Sequence, residues 1–193
     1  PLMNAYNYLK TAIVTGYDNL HSIFYETCFN IGFCLNEMEQ YDRAIYYFDL
    51  IPQKEKSNIY IIEYINALVN NGDPRSMGFV QDCLSEFEEG KKQVDSEETS
   101  MFYDFLWRRL AYLFIDYKMW DDARELLEGL KKLPSCHDFA ISELEYIKNV
   151  INYIVKQKML QNSKNKICHY EIFEATTGCH AAALSVTHAL RLL

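Results

Sequence analysis

The fold is decided by residues 41–52, which read YDRAIYYFDLIP and combine a small residue, an aromatic residue and a closing proline. Ala44 precedes Phe48 by four positions, and Ile51 follows three positions later. Residues three and four apart share one face of an α-helix. The stretch therefore predicts a helix that approaches a neighbouring helix closely at Ala44, with a large side chain packed beside it.

The same spacing occurs elsewhere in the chain, which indicates an internal repeat. The two further occurrences, in chain order, are Ala5, Leu9 and Ala12, then Ala123, Leu127 and Leu130. The interval from Ala5 to Ala44 is about 39 residues, and Ala123 follows Ala44 after about two such periods. We interpret these copies as one structural unit repeated along the chain.

Apolar residues at helical spacing extend over almost the entire chain, and breakers divide them into segments of helical length. The predicted helices span about 4–15, 22–39, 41–51, 57–70, 73–89, 97–117, 120–132 and 135–161. Asp73 is the predicted N-cap of the fifth helix, with Pro74 at its first position. Ser135 and Asp138 offer a capping box for the eighth helix. The sequence thus predicts an all-α chain of helical hairpins.

Two of these hairpins carry residues typical of a known repeat. The first set is Ile31, Gly32, Leu35, Tyr41, Ala44, Phe48 and Pro52. The second set is Trp107, Leu110, Ala111, Phe114, Trp120, Ala123, Leu127 and Pro134. Both sets resemble the tetratricopeptide repeat, although the interval found here exceeds the usual length of about 34 residues. The Tyr-, Ile- and Asn-rich composition, together with the long period, resembles the bacterial form of the repeat found in Bacteroidetes.

The resemblance implies a right-handed superhelix of antiparallel helical hairpins, an α-solenoid, closed by a C-terminal capping helix. The repeat domain would span 1–162, with its parts at 4–16 (half repeat), 22–52, 57–90, 97–134 and 135–161 (cap). The middle repeat departs from the pattern, with Ala67 and Gly78 as its candidate small residues. Residues 163–193 change in composition, and we interpret them as a tail, either an extra helix or a non-native extension.

In such a superhelix the first helix of each hairpin lines a concave groove, which suits a peptide or a partner helix. The resemblance places the groove residues at Glu26, Phe29, Phe33 and Asn36; at Ile61, Tyr64, Leu68 and Asn71; and at Phe105, Arg108, Tyr112 and Ile115. The expected function is non-catalytic protein–protein interaction with an apolar or mildly basic ligand. A register error of one residue would instead make several of these aromatic residues part of the core.

Two alternatives stay open for the function. The first is a sensory or assembly domain of a larger regulatory protein, which the N-terminal half repeat favours. The second is a homo-oligomeric structural adaptor, such as a homodimer, that binds another copy through the groove or the tail. A mass that depends on concentration would distinguish the adaptor from a monomeric peptide binder.

Composition argues against several classes of partner. The 27 acidic residues outnumber the 19 Lys and Arg residues, and the net charge of −8 disfavours binding to a nucleic-acid backbone. No apolar run approaches the roughly 20 residues of a membrane-spanning helix. The six cysteines form no CxxC pair, and we interpret them as reduced thiols of a cytoplasmic protein.

The sequence gives no sign of an active site, a cofactor or a metal site. Three Cys-His pairs occur, at 136–137, 168–169 and 179–180, but adjacent side chains on a helix diverge and lack the spacing of zinc ligands. Phosphate-binding loops and the common hydrolase motifs do not occur. We therefore expect a protein that is not an enzyme and that needs neither a cofactor nor a metal ion.

Overall fold

A computed structural model describes residues 1–161 of the chain, and all regular secondary structure in this range is helical. The α-helices are α1 (Leu2–Val14), α2 (His21–Glu37), α3 (Tyr41–Asp49), α4 (Asn58–Asn70), α5 (Ser76–Glu88), α6 (Glu97–Asp116), α7 (Trp120–Leu130) and α8 (residues 137–161). Two short 3₁₀ turns lie at Asp18–Leu20 and Gln53–Glu55. The all-α prediction is confirmed for this range, whereas the predicted tail at 163–193 lies outside the described residues.

The chain divides into two compact units. The first, Pro1–Ile141, contains α1 to α7 and the beginning of α8, and the second begins at Ser142. The first residues of α8 belong to the core of the first unit, because Ala140 is fully buried and the ring of Phe139 lies 5.4 Å from that of Tyr112. A helix is confirmed where the capping helix was predicted.

Helices of the first unit pack mainly against their neighbours in sequence, and α4 also contacts both α2 and α6. The helix pairs α2–α3 and α6–α7 approach at small residues, as the sequence pattern predicts. Gly32, Ala44, Ala111 and Ala123 are all buried. Close approach of two helices needs small side chains at the contact, so these four residues bring each pair together.

Three turns between helices have the same backbone geometry. In each turn one residue has a positive φ angle: Glu39 (56°), Gly72 (64°) and Lys118 (60°). The following N–H group donates to a carbonyl five positions earlier. These bonds are Gln40 to Leu35 (2.9 Å), Asp73 to Leu68 (2.9 Å) and Met119 to Phe114 (2.8 Å). This is the Schellman arrangement, in which a left-handed residue satisfies the last carbonyls of a helix.

The spacing of these turns corrects the predicted period. The interval from Glu39 to Gly72 is shorter than that from Gly72 to Lys118, so the two periods predicted between Ala44 and Ala123 are unequal in length. The first interval is close to the length of about 34 residues that is usual for the family. The additional residues of the second interval lie mainly in the long, largely exposed link 89–96 between α5 and α6.

Most predicted helix ends agree with the structure within two positions, and the beginning of α5 is the exception. Asp73 was predicted as the N-cap, but the helix begins at Ser76 and its N-cap is Arg75. The N–H group of Asp73 already takes part in the turn that ends α4, through its bond to Leu68. Its carboxylate accepts the backbone N–H of Arg75 at 2.9 Å and so organises the connection between the helices.

Candidate protein-binding surface

The predicted groove residues lie on α2, α4 and α6, the first helices of the three predicted hairpins, except for Asn71, which directly follows α4. Counting back from the Schellman turns gives their true register, because the carbonyls of Leu35, Leu68 and Phe114 have equivalent places in these turns. The residues predicted on α2 and α6 are equivalent in this register. On α4 the prediction is wrong by two positions, and the equivalent residues are Ile59, Ile62, Asn66 and Val69.

The burial of the predicted α4 residues follows from this register error. Two positions rotate a side chain by about 200° around a helix, which moves it from the surface to the core. Ile61, Tyr64 and Leu68 are buried, and the hydroxyl of Tyr64 donates to Asp49. Ile115, the last predicted position on α6, is buried as well. These side chains offer no surface to a partner, so their predicted exposure is corrected.

On α2 the predicted residues divide into exposed and packed side chains. Glu26 and Phe33 are exposed. Phe29 is half-buried, and its ring stacks on that of Tyr60 with the ring centres 3.9 Å apart and the planes 2° from parallel. This stack joins α2 to α4. Phe29 is therefore partly covered by this stack, whereas Phe33 is 40% exposed.

Hydrogen bonds also join the first helices to one another. Asn36 Nδ2 donates to the backbone oxygen of Glu63 at 2.9 Å, linking α2 to α4. Arg109 donates to Asn66 Oδ1 at 2.8 Å, linking α4 to α6, and its guanidinium lies over the ring of Phe105. Burial lowers the pKa of Arg109. Asn36 is thus a structural link as well as a candidate contact.

The remaining predicted residues of α6 differ in what they leave accessible. Phe105 is half-buried, and Tyr112 is exposed. Arg108 is engaged by the chain itself, since it donates to the backbone oxygen of Ser135 and its guanidinium lies 5.3 Å from the ring centre of Phe139. Arg108 therefore fastens the beginning of α8 to α6 and is not a free groove cation.

An apolar cleft of about 440 Å³ lies between α4 and α6. Its lining consists of Asn58, Ile59, Ile62, Glu98, Met101, Phe102 and Phe105. Phe102 is buried, whereas Ile59 and Met101 expose 56% and 68% of their surface. The volume falls within the range of about 300–1,000 Å³ that is usual for binding clefts. We call this feature the α4–α6 cleft.

Of the α4–α6 cleft, the sequence prediction included only Phe105. A signal for the rest was present, because Glu98, Met101 and Phe105 have the spacing i, i+3, i+7 that defines one helix face. Residues of α6 before Phe105 were not considered, since the resemblance places its first groove position on this helix at Phe105. Ile59 and Ile62 were missed through the register error on α4.

Four cysteines lie in the described part of the chain, and none of them forms a disulfide bond there. Cys28, Cys34, Cys83 and Cys136 are free, and burial raises the pKa values of Cys28 and Cys83 to about 12. Such thiols are protonated at neutral pH and are poor nucleophiles. Within residues 1–161 no cluster of three or more His, Cys, Asp or Glu side chains is arranged to hold a metal ion. The pairs at 168–169 and 179–180 lie outside the described residues.

None of the helices in the described part of the chain is both long and apolar enough to cross a membrane. Compared with protein-family models, curated proteins and solved structures, the chain matches none of them. The resemblance to the tetratricopeptide repeat therefore rests on the residues and their spacing. Any function has to be argued from the geometry of the chain itself.

Proposed function

We propose that this chain is a tetratricopeptide-like α-solenoid whose function is to bind a protein partner in the α4–α6 cleft. One observation carries the proposal: Ile59 and Met101 stand more than half exposed on facing helices, beside the half-buried ring of Phe105. Apolar side chains gathered around an open cleft favour the insertion of apolar side chains from a peptide or a partner helix.

The order of contacts supports the solenoid interpretation. Each helix from α1 to α7 packs on its neighbours in that range, the first helices α2, α4 and α6 are in contact in turn, and three turns share one geometry. These are the features of a stack in which each repeat contacts only the next one. The proposed superhelix is right-handed, with α8 as its cap and with the α4–α6 cleft on its concave side.

The chemistry of the cleft supports a binding role over a catalytic one. Glu98 is its only titratable lining residue, so the lining offers no acid–base pair and no nucleophile with a base beside it. The net charge of −8 favours a protein partner over a nucleic acid. The free, buried thiols are consistent with the proposed cytoplasmic location.

The proposal is tested by selecting a displayed library of random short peptides on the immobilised protein. The decisive variant is Met101→Lys, which places a charge in the cleft. Its matched control is Met38→Lys, which makes the same change at a methionine that is 61% exposed at the end of α2. We expect the peptides enriched on the wild type to bind the control equally and the Met101 variant at least tenfold more weakly.

Thermal unfolding of both variants must match that of the wild type, because both substitutions lie at exposed positions. Peptides that bind the Met101 variant as well as the wild type would place the binding surface elsewhere and overturn the proposal. The adaptor alternative predicts a mass that increases with protein concentration. Analytical ultracentrifugation of the wild type and of Met101→Lys tests whether the cleft instead holds a second copy.

A further inference from the structure

The rim of the α4–α6 cleft is acidic. Glu98 is the only charged residue in the lining, it is exposed, and it has no ion-pair partner within the part of the chain that the structure describes. Glu97 precedes it in the first turn of α6, whereas the carboxylate of Glu63 on α4 already accepts a hydrogen bond from Asn36 on α2. No Lys, Arg or His residue contributes to the lining. The cleft thus combines an apolar lining with the negative charge of Glu98.

Cations on the neighbouring helix turns are already engaged by the protein itself. The guanidinium of Arg109 is directed at Asn66 and lies over Phe105. The ammonium group of Lys56, just before α4, donates to the backbone oxygen of Ile51, with Tyr64 beneath it. Neither cation is available to neutralise Glu98. Glu98 therefore stays open to a complementary charge on a partner.

We infer that the segment bound in the α4–α6 cleft carries a lysine or arginine directly beside one or two large apolar side chains. This inference rests on the proposed function and specifies the partner's chemistry. The apolar side chains enter between Ile59 and Met101, and the cation pairs with Glu98. A lysine or arginine stem is itself apolar, so it covers the cleft wall while its charged end reaches the carboxylate.

The spacing of residues along α6 supports a partner in which the basic residue is adjacent to the apolar side chains that enter the cleft. Glu98 lies one turn before Met101 on the same face of α6, and Phe105 lies one turn beyond Met101. A partner side chain that fills the space beside Met101 is therefore within one helical turn of the carboxylate.

The apolar contacts and the ion pair contribute unequally to the binding affinity. Burial of apolar surface supplies most of the affinity, whereas an exposed ion pair changes it by about two- to fivefold. The electrostatic part is screened by salt and acts strongly on the rate of association. Binding is therefore expected to weaken moderately, and not to vanish, when the ionic strength is raised.

The test uses the peptide most enriched by selection and a copy in which each Lys or Arg is replaced by Gln. Both are titrated by fluorescence anisotropy against the wild type, Glu98→Gln and Asp42→Asn. Asp42 is the matched control, because it is also an exposed carboxylate in the first turn of a helix. We expect the wild type and Asp42→Asn to prefer the basic peptide by about two- to fivefold, and Glu98→Gln to lose that preference.

Two results would overturn the inference and leave the proposed function intact. One is an enriched set of peptides without basic residues whose binding still depends on Met101. The other is a preference for the basic peptide that persists in Glu98→Gln, which would reflect only the overall negative charge. If no peptide depends on Met101, the proposed function fails as well, so the two failures are distinguishable.

Discussion

Gly32 on α2 lies directly against the ring of Phe48 on α3. A Cβ atom placed on Gly32 would be 2.7 Å from Cε1 of that ring and 2.8 Å from Cζ, and Phe48 is fully buried. Distances under 3.0 Å leave no space for a methyl group. These distances confirm the predicted pairing of a small with a large residue, because only glycine at position 32 leaves room for the ring of Phe48.

Gly32→Ala is therefore expected to destabilise the protein. The ring of Phe48 is enclosed and cannot move aside, so overpacking should cost about 1–3 kcal/mol. The gain in helix propensity, about 0.5–1 kcal/mol, offsets only part of this cost. Urea denaturation followed by circular dichroism measures the free energy of unfolding. Gly78→Ala on α5 is the control, since nothing lies within 4 Å of its Cβ position.

Gly78→Ala should stabilise the protein by about 0.5–1 kcal/mol. The double variant Gly32→Ala/Phe48→Leu should be more stable than the sum of its single substitutions predicts, because it recreates the pair found in the last hairpin, Ala111 and Leu127. Equal stabilisation by Gly32→Ala and Gly78→Ala would show that the close contact with Phe48 has no energetic effect.

Within residues 1–161, two non-glycine residues have a left-handed backbone conformation, and they give the next prediction. Glu39 and Lys118 have φ angles of 56° and 60°. A left-handed residue with a side chain costs roughly 1 kcal/mol more than glycine. Glu39→Gly and Lys118→Gly should each raise the free energy of unfolding by about that amount. Lys131→Gly, at a φ angle of −58° after α7, should lower it, and a uniform decrease in all three variants would contradict this account.

Tyr64 is predicted to stabilise the junction of α3, α4 and α5 through its hydroxyl group. That hydroxyl donates to Asp49, whose carboxylate also pairs with Arg75 at 3.2 Å. Tyr64→Phe should cost about 1–2 kcal/mol, because the hydrogen bond has a charged acceptor and Tyr64 itself is buried. Tyr8→Phe, at a side chain that is 79% exposed, should leave the stability unchanged in the same denaturation assay.

Asp73 should make the free energy of unfolding depend on pH in the acidic range. Its carboxylate pairs with Arg75 at 2.9 Å, and the hydrogen bond from Arg75 holds the pKa of Asp73 below its usual range. Because the pKa of Asp73 is lower in the folded than in the unfolded protein, the ion pair stabilises the fold at pH values above the unfolded pKa of about 4. This stabilisation is lost as the pH falls towards the pKa of the folded state. It should stay below about 1 kcal/mol, since Arg75 is half exposed.

The measurement compares the wild type with Asp73→Asn from neutral pH down to pH 3. We expect the wild type to be more stable at neutral pH and the difference between the two proteins to narrow below about pH 4. A difference that widens in acid would reverse the sign of the proposed linkage. Asp42→Asn, at an exposed carboxylate on α3, serves as the control for general charge removal.

The cysteines should differ in reactivity according to burial. Cys34 is exposed, whereas Cys28 and Cys83 are buried with pKa values raised to about 12. A brief treatment of the folded protein with a maleimide, followed by peptide mass mapping, should label Cys34 and leave the other two unmodified. All three should react once the protein is unfolded in denaturant. Rapid labelling of Cys83 in the folded protein would contradict its burial.

The sequence predicted the helices well because their signals are local. Breakers such as Pro52 and the spacing around Ala44 and Ala123 define where helices end and which face is buried. The burial of Leu127 and Phe48 follows directly from that pattern. Such features depend on neighbours within one or two turns, which a sequence displays openly.

The register of α4 was less accessible, because it depends on where the next turn closes. Ala67 resembled the small residue of the pattern, but Gly72 provides the left-handed residue of the turn, which makes Ile65 the equivalent of Gly32. The α4–α6 cleft was also hidden from the sequence, since it depends on how two helices that are distant in the chain face each other. Met101 is apolar and exposed, a combination that sequence alone does not separate from a core residue.

The exposed link between α5 and α6 is a suitable place to divide the protein into two separate polypeptides. Gly90 is the second residue of this link, and one buried cluster contains Leu84 from before the link and Phe102 and Leu106 from after it. Two polypeptides that meet at residue 90 should therefore associate through this shared core, and their co-purification after separate labelling would test it. Because the α4–α6 cleft takes α4 from one piece and α6 from the other, such a split protein would report partner binding through reassembly.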